Sequence, residues 1–244
     1  MDTPDELAAL RAAGRVVAEA LRAMRGAVRA GVTTGELDRV AADVFRRRGA
    51  RSGPQLDYGF PGATCISVND EAVHGIPGPR RLRPGDLVKL DVTAELDGFY
   101  ADACVTVAAG RPRPSDARLT AAAGAALARA LEVATAGAPV NAIGAAVEDE
   151  SERHGVRVCE GLMGHGIGRR IHEPPLIPNQ YLPHLAQPLS RGLVMTVEPI
   201  LSAGNGRVKQ TADGWTIRTV DGARAAHVEH TVVLTDDSPV IITA

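Results

Sequence analysis

Val88-Lys89-Leu90-Asp91-Val92-Thr93 alternates strictly in polarity, and Asp97-Gly98 follows it. Asp-Gly is a strong two-residue hairpin signal. The period of two puts Val88, Leu90 and Val92 on one face of a strand. Lys89, Asp91 and Thr93 take the other. Pairing Leu96 with Phe99 across the turn sets Thr93 opposite Asp102 and Asp91 opposite Cys104. Asp91, Thr93 and Asp102 then share a face, with the two carboxylates as diagonal neighbours, about 7–8 Å apart. Two acids so placed repel each other. They suit either the solvated outer face of an antiparallel sheet or a site where a cation or proton sits between them.

The second half of the chain bears on that choice. Glu198 ends the apolar run 192–198, and Glu229 lies inside the apolar run 226–234. An isolated glutamate in such a run is costly unless it is paired or bound to metal. Moving the sequence by 107 residues places 84–92 on 191–199, so that Asp91 falls on Glu198. Moving it by 106 places Leu21 on Leu127, Gly31 on Gly137, Leu37 on Ile143 and Gly49 on Gly155. Helices are expected in matching places. Thr3-Pro4-Asp5-Glu6 opens one that runs to about Gly26, and Thr33-Thr34-Gly35-Glu36 opens a second that Gly49 ends. A similar pair covers 115–135 and 140–154. Each half therefore reads helix, helix, strands. The expectation is one domain over residues 1–244, built from halves of roughly 1–110 and 111–244.

Composition narrows the classes. The chain has 244 residues, 45% hydrophobic and 23% charged, with a formal net charge of −2. That balance argues against a protein that binds nucleic acid through bulk charge. No run approaches the roughly 18 apolar residues of a membrane span. The acidic start MDTPDELAAL lacks the regions of a signal peptide. Cys65, Cys104 and Cys159 are widely spaced and odd in number, which excludes a disulfide framework and a CxxC zinc site. The expected compartment is the cytoplasm.

GHGIG (164–168) sets His165 between glycines that let the backbone bring an imidazole close to a site. It lacks the pattern of a phosphate loop. His74 lies in the turn-like HGIPG, and His172 precedes Glu173-Pro174-Pro175. His154, His184, His227 and His230 read as ordinary surface or core residues. Four carboxylates and one histidine form an oxygen-rich set with one nitrogen. It suits two divalent ions such as Mn, Fe, Co or Zn, an arrangement that hydrolases use.

YGFPGATCISVNDEAVHGIPG (58–78), KLDVTAELDGFYADA (89–103), GHGIGRRIHEPP (164–175), MTVEPIL (195–201) and HVEHTVV (227–233) together resemble the methionine aminopeptidases of the short bacterial type I kind. These belong to the pita-bread-fold metallopeptidases. The resemblance runs from about residue 7 to 234. It implies an α/β (α+β) pita-bread fold, with a curved, mostly antiparallel sheet, outer helices and two pseudo-symmetric halves. It implies two divalent metal ions held by Asp91, Asp102, His165, Glu198 and Glu229, with Asp102 and Glu229 bridging. His74, His172 and Glu198 would be the catalytic groups. Tyr58, Phe60, Cys65 and Trp215 would join His74 and His172 in binding substrate. The implied reaction is removal of N-terminal methionine before a small second residue, by a metal-generated hydroxide. Asp57, Ile171 and His227 depart from the usual pattern and bear on pocket shape. The other readings are a related hydrolase, such as an Xaa-Pro peptidase, and a non-catalytic binding homologue. The implied partners are nascent polypeptide N-termini with a transient ribosome contact. No specific nucleic acid and no membrane are expected, and the chain should be a monomer.

Overall fold

The computed structural model describes Met1 and residues 3–244. The hairpin that decides the fold forms in the expected register. Strand Leu87–Leu96 pairs with Phe99–Ala108, with Leu96 opposite Phe99, Thr93 opposite Asp102 and Asp91 opposite Cys104. Asp97 and Gly98 both take positive φ, as a tight hairpin turn of this hand requires.

Val88, Leu90 and Val92 face the helices. They pack in one apolar cluster with Leu10, Val17, Leu21 and Met24 of helix Pro4–Ala27, and with Leu37 and Val44 of helix Thr34–Arg48. Thr33 caps the second of these helices in a full capping box with Glu36, and Gly49 ends it in the left-handed conformation. The later pair, Pro114–Val133 and Asn141–Arg153, builds a second cluster. There Leu119, Ile143 and Val147 meet Met195, Val197, Leu201 and Val232. All four long helices thus lie where the sequence pattern placed them. A short helix, Gly53–Tyr58, was not anticipated. Six residues are too few for a periodic signal, and Pro54 and Gly59 at its ends read equally well as a turn.

The main sheet joins the halves. Strand Phe99–Ala108 pairs with Glu229–Val233, which pairs with Val194–Val197, which in turn borders Gly164–Gly166. All of these pairings are antiparallel. Asp91, Asp102, Glu229, Glu198 and His165 therefore lie on, or one residue beyond, successive strands of one sheet. One sheet face meets the helices, and the other carries the acids.

Gly14 fixes how closely the first helix approaches the C-terminal segment. A Cβ there would collide with the Ile242 carbonyl oxygen and side chain. Alanine normally favours a helix over glycine by about 1 kcal/mol. Here overpacking against backbone, typically about 1–3 kcal/mol, should win. Gly14→Ala should therefore lower stability in denaturant unfolding, and an unchanged or higher midpoint would refute this packing.

Candidate metal centre

Beneath the open face of the sheet lies a cavity of about 300 Å³. Its lining includes Asp91, Asp102, His165, Glu198 and Glu229, together with His74, His172, Tyr58, Phe60, Cys65 and Trp215. Every site residue named from the sequence thus reaches one place. The solvated-face alternative for Asp91 and Asp102 does not hold, since Asp102 is buried and Asp91 half-buried.

Threonines hold the acids. Thr93 donates to Oδ2 of Asp102 at 2.8 Å, and Thr196 donates to Oε1 of Glu198 at 2.8 Å. Thr231 accepts from the Asp102 backbone N–H and donates back to its carbonyl, both at 2.8 Å. Oδ1 of Asp102 and Oε1 of Glu229 have no hydrogen-bond partner among the described residues. Buried carboxylate oxygens without donors are expensive, and a cation would satisfy them.

Gly164 and Gly166 explain the glycines around His165. A Cβ at Gly164 would press on the Thr196 carbonyl at 2.7 Å and on Cγ of Glu198 at 3.3 Å. One at Gly166 would collide with the Pro174 carbonyl. The His165 ring sits 2.9 Å through Nδ1 from the Gly166 carbonyl. Nδ1 there donates, which frees the Nε2 lone pair for the cavity. Nε2 lies 3.6 Å from Oε1 of Glu198.

The donors cluster as metal ligands do. Ligand atoms of Asp102, His165 and Glu229 lie within 4.8 Å of one another, as do those of Glu198, His227 and Glu229. Asp91 shares the cavity with them. The donor set and its orphaned oxygens fit divalent cations.

His227 corrects the sequence reading. The sequence predicts an ordinary surface or core histidine; the ring is indeed buried, but it also lines this cavity beside the acids, where its departure from the usual pattern bears on the site. The overlooked signal was spacing. His227 stands two residues before Glu229, so the strand period turns both to one face. The same spacing relates Thr196 to Glu198 and Thr231 to Glu229, and those threonines were also missed.

The other walls are distinct. Phe60 and Trp215 meet edge to face at 5.1 Å between ring centroids. Asp213 holds the Trp215 turn by accepting from the Trp215 and Thr216 backbone N–H groups at 2.8 and 2.9 Å. Buried Ile171 and Cys65 complete an apolar side. The His172 ring lies tilted against that of His165 with centroids 4.1 Å apart, and its Nδ1 lies 2.6 Å from the Tyr58 hydroxyl. His74 adopts φ 58°, a strained conformation for a non-glycine residue. Asp57 does not line the cavity. Its carboxylate accepts from the Tyr100 hydroxyl at 2.8 Å and the Ile171 backbone N–H at 3.3 Å, so it ties the short helix to the segment that carries His172.

This geometry defines a metallohydrolase site on a pita-bread sheet. The chain belongs to metallopeptidase family M24, whose profile matches residues 8–236. It is 41% identical over 240 residues to Methionine aminopeptidase 2 of Bacillus subtilis, covering 98% of this chain and 96% of that one. Its structure matches that of the methionine aminopeptidase from Thermotoga maritima with a TM-score of 0.96 at 34% identity, over 99% of this chain and 98% of that one. The prolidase from Pyrococcus furiosus shares the fold, with a TM-score of 0.81 at 22% identity, but this chain covers only 64% of it.

The electrostatics of the metal-free site yield a test. Burial pushes the carboxyls up, Glu198 to about 8 and Asp102 to about 6. Asp91 and Glu229 rise well above the usual range through burial and then the neighbouring carboxylates. Groups raised on folding stabilise at low pH, and that stability is lost as pH rises through their folded pKa. His165 and His227 are pushed down from 6.5 to about 3 by burial, so they act in the opposite sense only below pH 6.5. Lys89, lowered by burial to about 7, opposes the acids above that pH, one group against three. With chelator present, stability should therefore fall between pH 6.5 and 8. The expected loss is at least about 1 kcal/mol. Excess Mn²⁺ or Co²⁺ should abolish the slope. A flat profile in chelator, measured by urea unfolding, would contradict the burial of these acids.

Proposed function

We propose that this protein removes the N-terminal methionine from nascent polypeptides and peptides whose second residue is small, using two divalent metal ions. The observation that carries the reading is the meeting, in one cavity, of a buried carboxylate–histidine cluster with an apolar wall of Phe60, Cys65, Ile171 and Trp215. Relatives named methionine aminopeptidases match nearly the whole chain.

The bound ions would supply a water acidified to near neutral pH and polarise the scissile carbonyl. Asp91, Asp102, His165, Glu198 and Glu229 would hold them. Glu198 takes the proton from the attacking water at a carboxylate oxygen and passes it to the leaving amine nitrogen. The Tyr58 hydroxyl donates to Nδ1 of His172, which leaves Nε2–H to donate to the carbonyl oxygen as it gains charge. Partial burial lowers the His172 pKa and so favours the neutral ring. His74 donates toward the nitrogen of the scissile bond. The apolar wall receives the thioether, a flexible side chain suited to an irregular pocket. The metals are drawn from Mn, Fe, Co and Zn, all of which this donor set can accept. The working partners are nascent N-termini presented in the cytoplasm, and the protein acts as a monomer.

The test is a two-position peptide library read by mass spectrometry, with protein supplied in turn with Mn²⁺, Fe²⁺, Co²⁺ and Zn²⁺. Met before Gly, Ala or Ser should be removed, and Met before Leu, Phe or Arg should be retained. Met should beat Leu at the first position by about 1–3 kcal/mol in kcat/KM, the usual worth of one apolar side chain against another. Preference for Xaa-Pro peptides, or equal removal of Ala and Met, would overturn the reading.

His172→Ala should cut turnover by about 10²–10³, as loss of an oxyanion donor does. Its metal content, measured by elemental analysis, should be unchanged. Loss of metal at normal fold stability would make His172 a ligand instead.

A further inference from the structure

We propose that His227 is an additional nitrogen ligand, binding the ion that Glu198 and Glu229 hold. The proposal rests on the metal-centre reading above and goes beyond the ligand set that the sequence resemblance implies.

Geometry carries it. Nε2 of His227 lies 3.4 Å from Oε2 of Glu229 and 3.7 Å from Oε2 of Glu198. Neither contact is a hydrogen bond by distance. Two donors bound at about 2.0–2.2 Å to one tetrahedral ion stand roughly 3.4 Å apart. The observed spacings are those of atoms that share an ion. They also match the 3.6 Å between Nε2 of His165 and Oε1 of the same Glu198. Glu198 thus has an imidazole nitrogen facing each of its two oxygens.

The state of the ring points the same way. The His227 residue is 2% exposed, and both ring nitrogens lack a hydrogen-bond partner among the described residues. A buried polar group left unpaired is costly. The neighbours of Nε2 are carboxylate oxygens, which cannot satisfy its lone pair. A cation between them satisfies the nitrogen and both carboxylates at once. The main chain fixes the approach, because Thr106 donates to the His227 carbonyl at 2.6 Å and accepts from its N–H at 2.9 Å. The imidazole therefore stands on a clamped segment beside the acids. The consequence is a centre with two nitrogens among its ligands, shifted toward Co²⁺, Fe²⁺ and Zn²⁺ and away from Mn²⁺.

The test counts nitrogens. Metal-free full-length protein is titrated with Co²⁺, followed by visible absorption and calorimetry. Electron spin-echo modulation of the Mn²⁺-loaded protein counts coordinated imidazoles. Wild type should show two, and His227→Gln and His165→Gln should each show one. His227→Gln should also weaken one Co²⁺ binding event by at least about tenfold, with an unchanged metal-free melting curve. The count on wild type decides the matter even where a variant fails to fold. A single imidazole in wild type, lost in His165→Gln and kept in His227→Gln, would overturn the proposal and leave the metal centre standing. His227 would then act only as a hydrogen-bond donor to the carboxylates. Failure of wild type to bind Co²⁺ at all would overturn the metal-centre reading and this inference with it.

Discussion

The constraint on which the rest of the structure depends is the burial of like charges. Asp91, Asp102, Glu198 and Glu229 converge on one cavity, where each disfavours ionisation of the others. Gathering four such groups is costly unless bound protons or a cation balance them. The sheet accepts this cost because each acid stands on, or just beyond, a different strand. Those strands are locked to helices on the opposite face by apolar packing. The cores under Val88, Leu90 and Val92 and under Met195, Val197 and Val232 hold the acids in place whether or not a cation is present. Pre-organisation of that kind is what a catalytic metal centre needs, since its ligands must hold their geometry while substrate exchanges.

Threonine hydroxyls do the fine positioning. Thr93 and Thr196 each occupy one oxygen of a neighbouring carboxylate, so one oxygen of Asp102 is left turned to the cavity without a donor. Thr231 clasps the Asp102 main chain from the adjoining strand and ties the two halves of the chain together at the site. Behind them, buried Lys89 donates to the Asn69 carbonyl at 2.8 Å. It stands on the same strand face as Asp91. Burial lowers its pKa to about 7, so its charge is held only weakly beside the acids.

Much of this was legible in the chain. The hairpin register followed from one Asp-Gly turn and a period of two, and the helix boundaries followed from Thr33, Gly49 and the spacing of apolar residues. Those signals are local, so local sequence carries them. The acids were legible because charge inside an apolar strand is conspicuous. What stayed hidden was set by pairing between distant segments. The Gly53–Tyr58 helix brings Tyr58 to His172, a contact between residues 114 apart. Asp57 stands beside a pocket motif and reads as bearing on pocket shape, yet its carboxylate is taken up by Tyr100 and Ile171. His227 was discounted because a lone histidine carries little information until the neighbouring strand is known.

The two sides of the cavity answer different demands. On the acid side, position matters to a fraction of an ångström, and its residues stand on strands of a sheet whose register a single residue's slip would invert. On the apolar side, Phe60 and Trp215 come from loops, and Trp215 is placed by an Asp213-centred turn instead of a strand. A side chain received by shape tolerates such adjustable walls, because each apolar contact contributes little and the pocket can repack around it. The departure at Ile171 falls on this tolerant side. That of His227 falls on the strict side, where a change of one residue alters the set of atoms available to a metal. Changes in the wall therefore bear on which side chain is preferred, whereas changes among the acids and imidazoles bear on whether there is a metal centre and which ions it accepts.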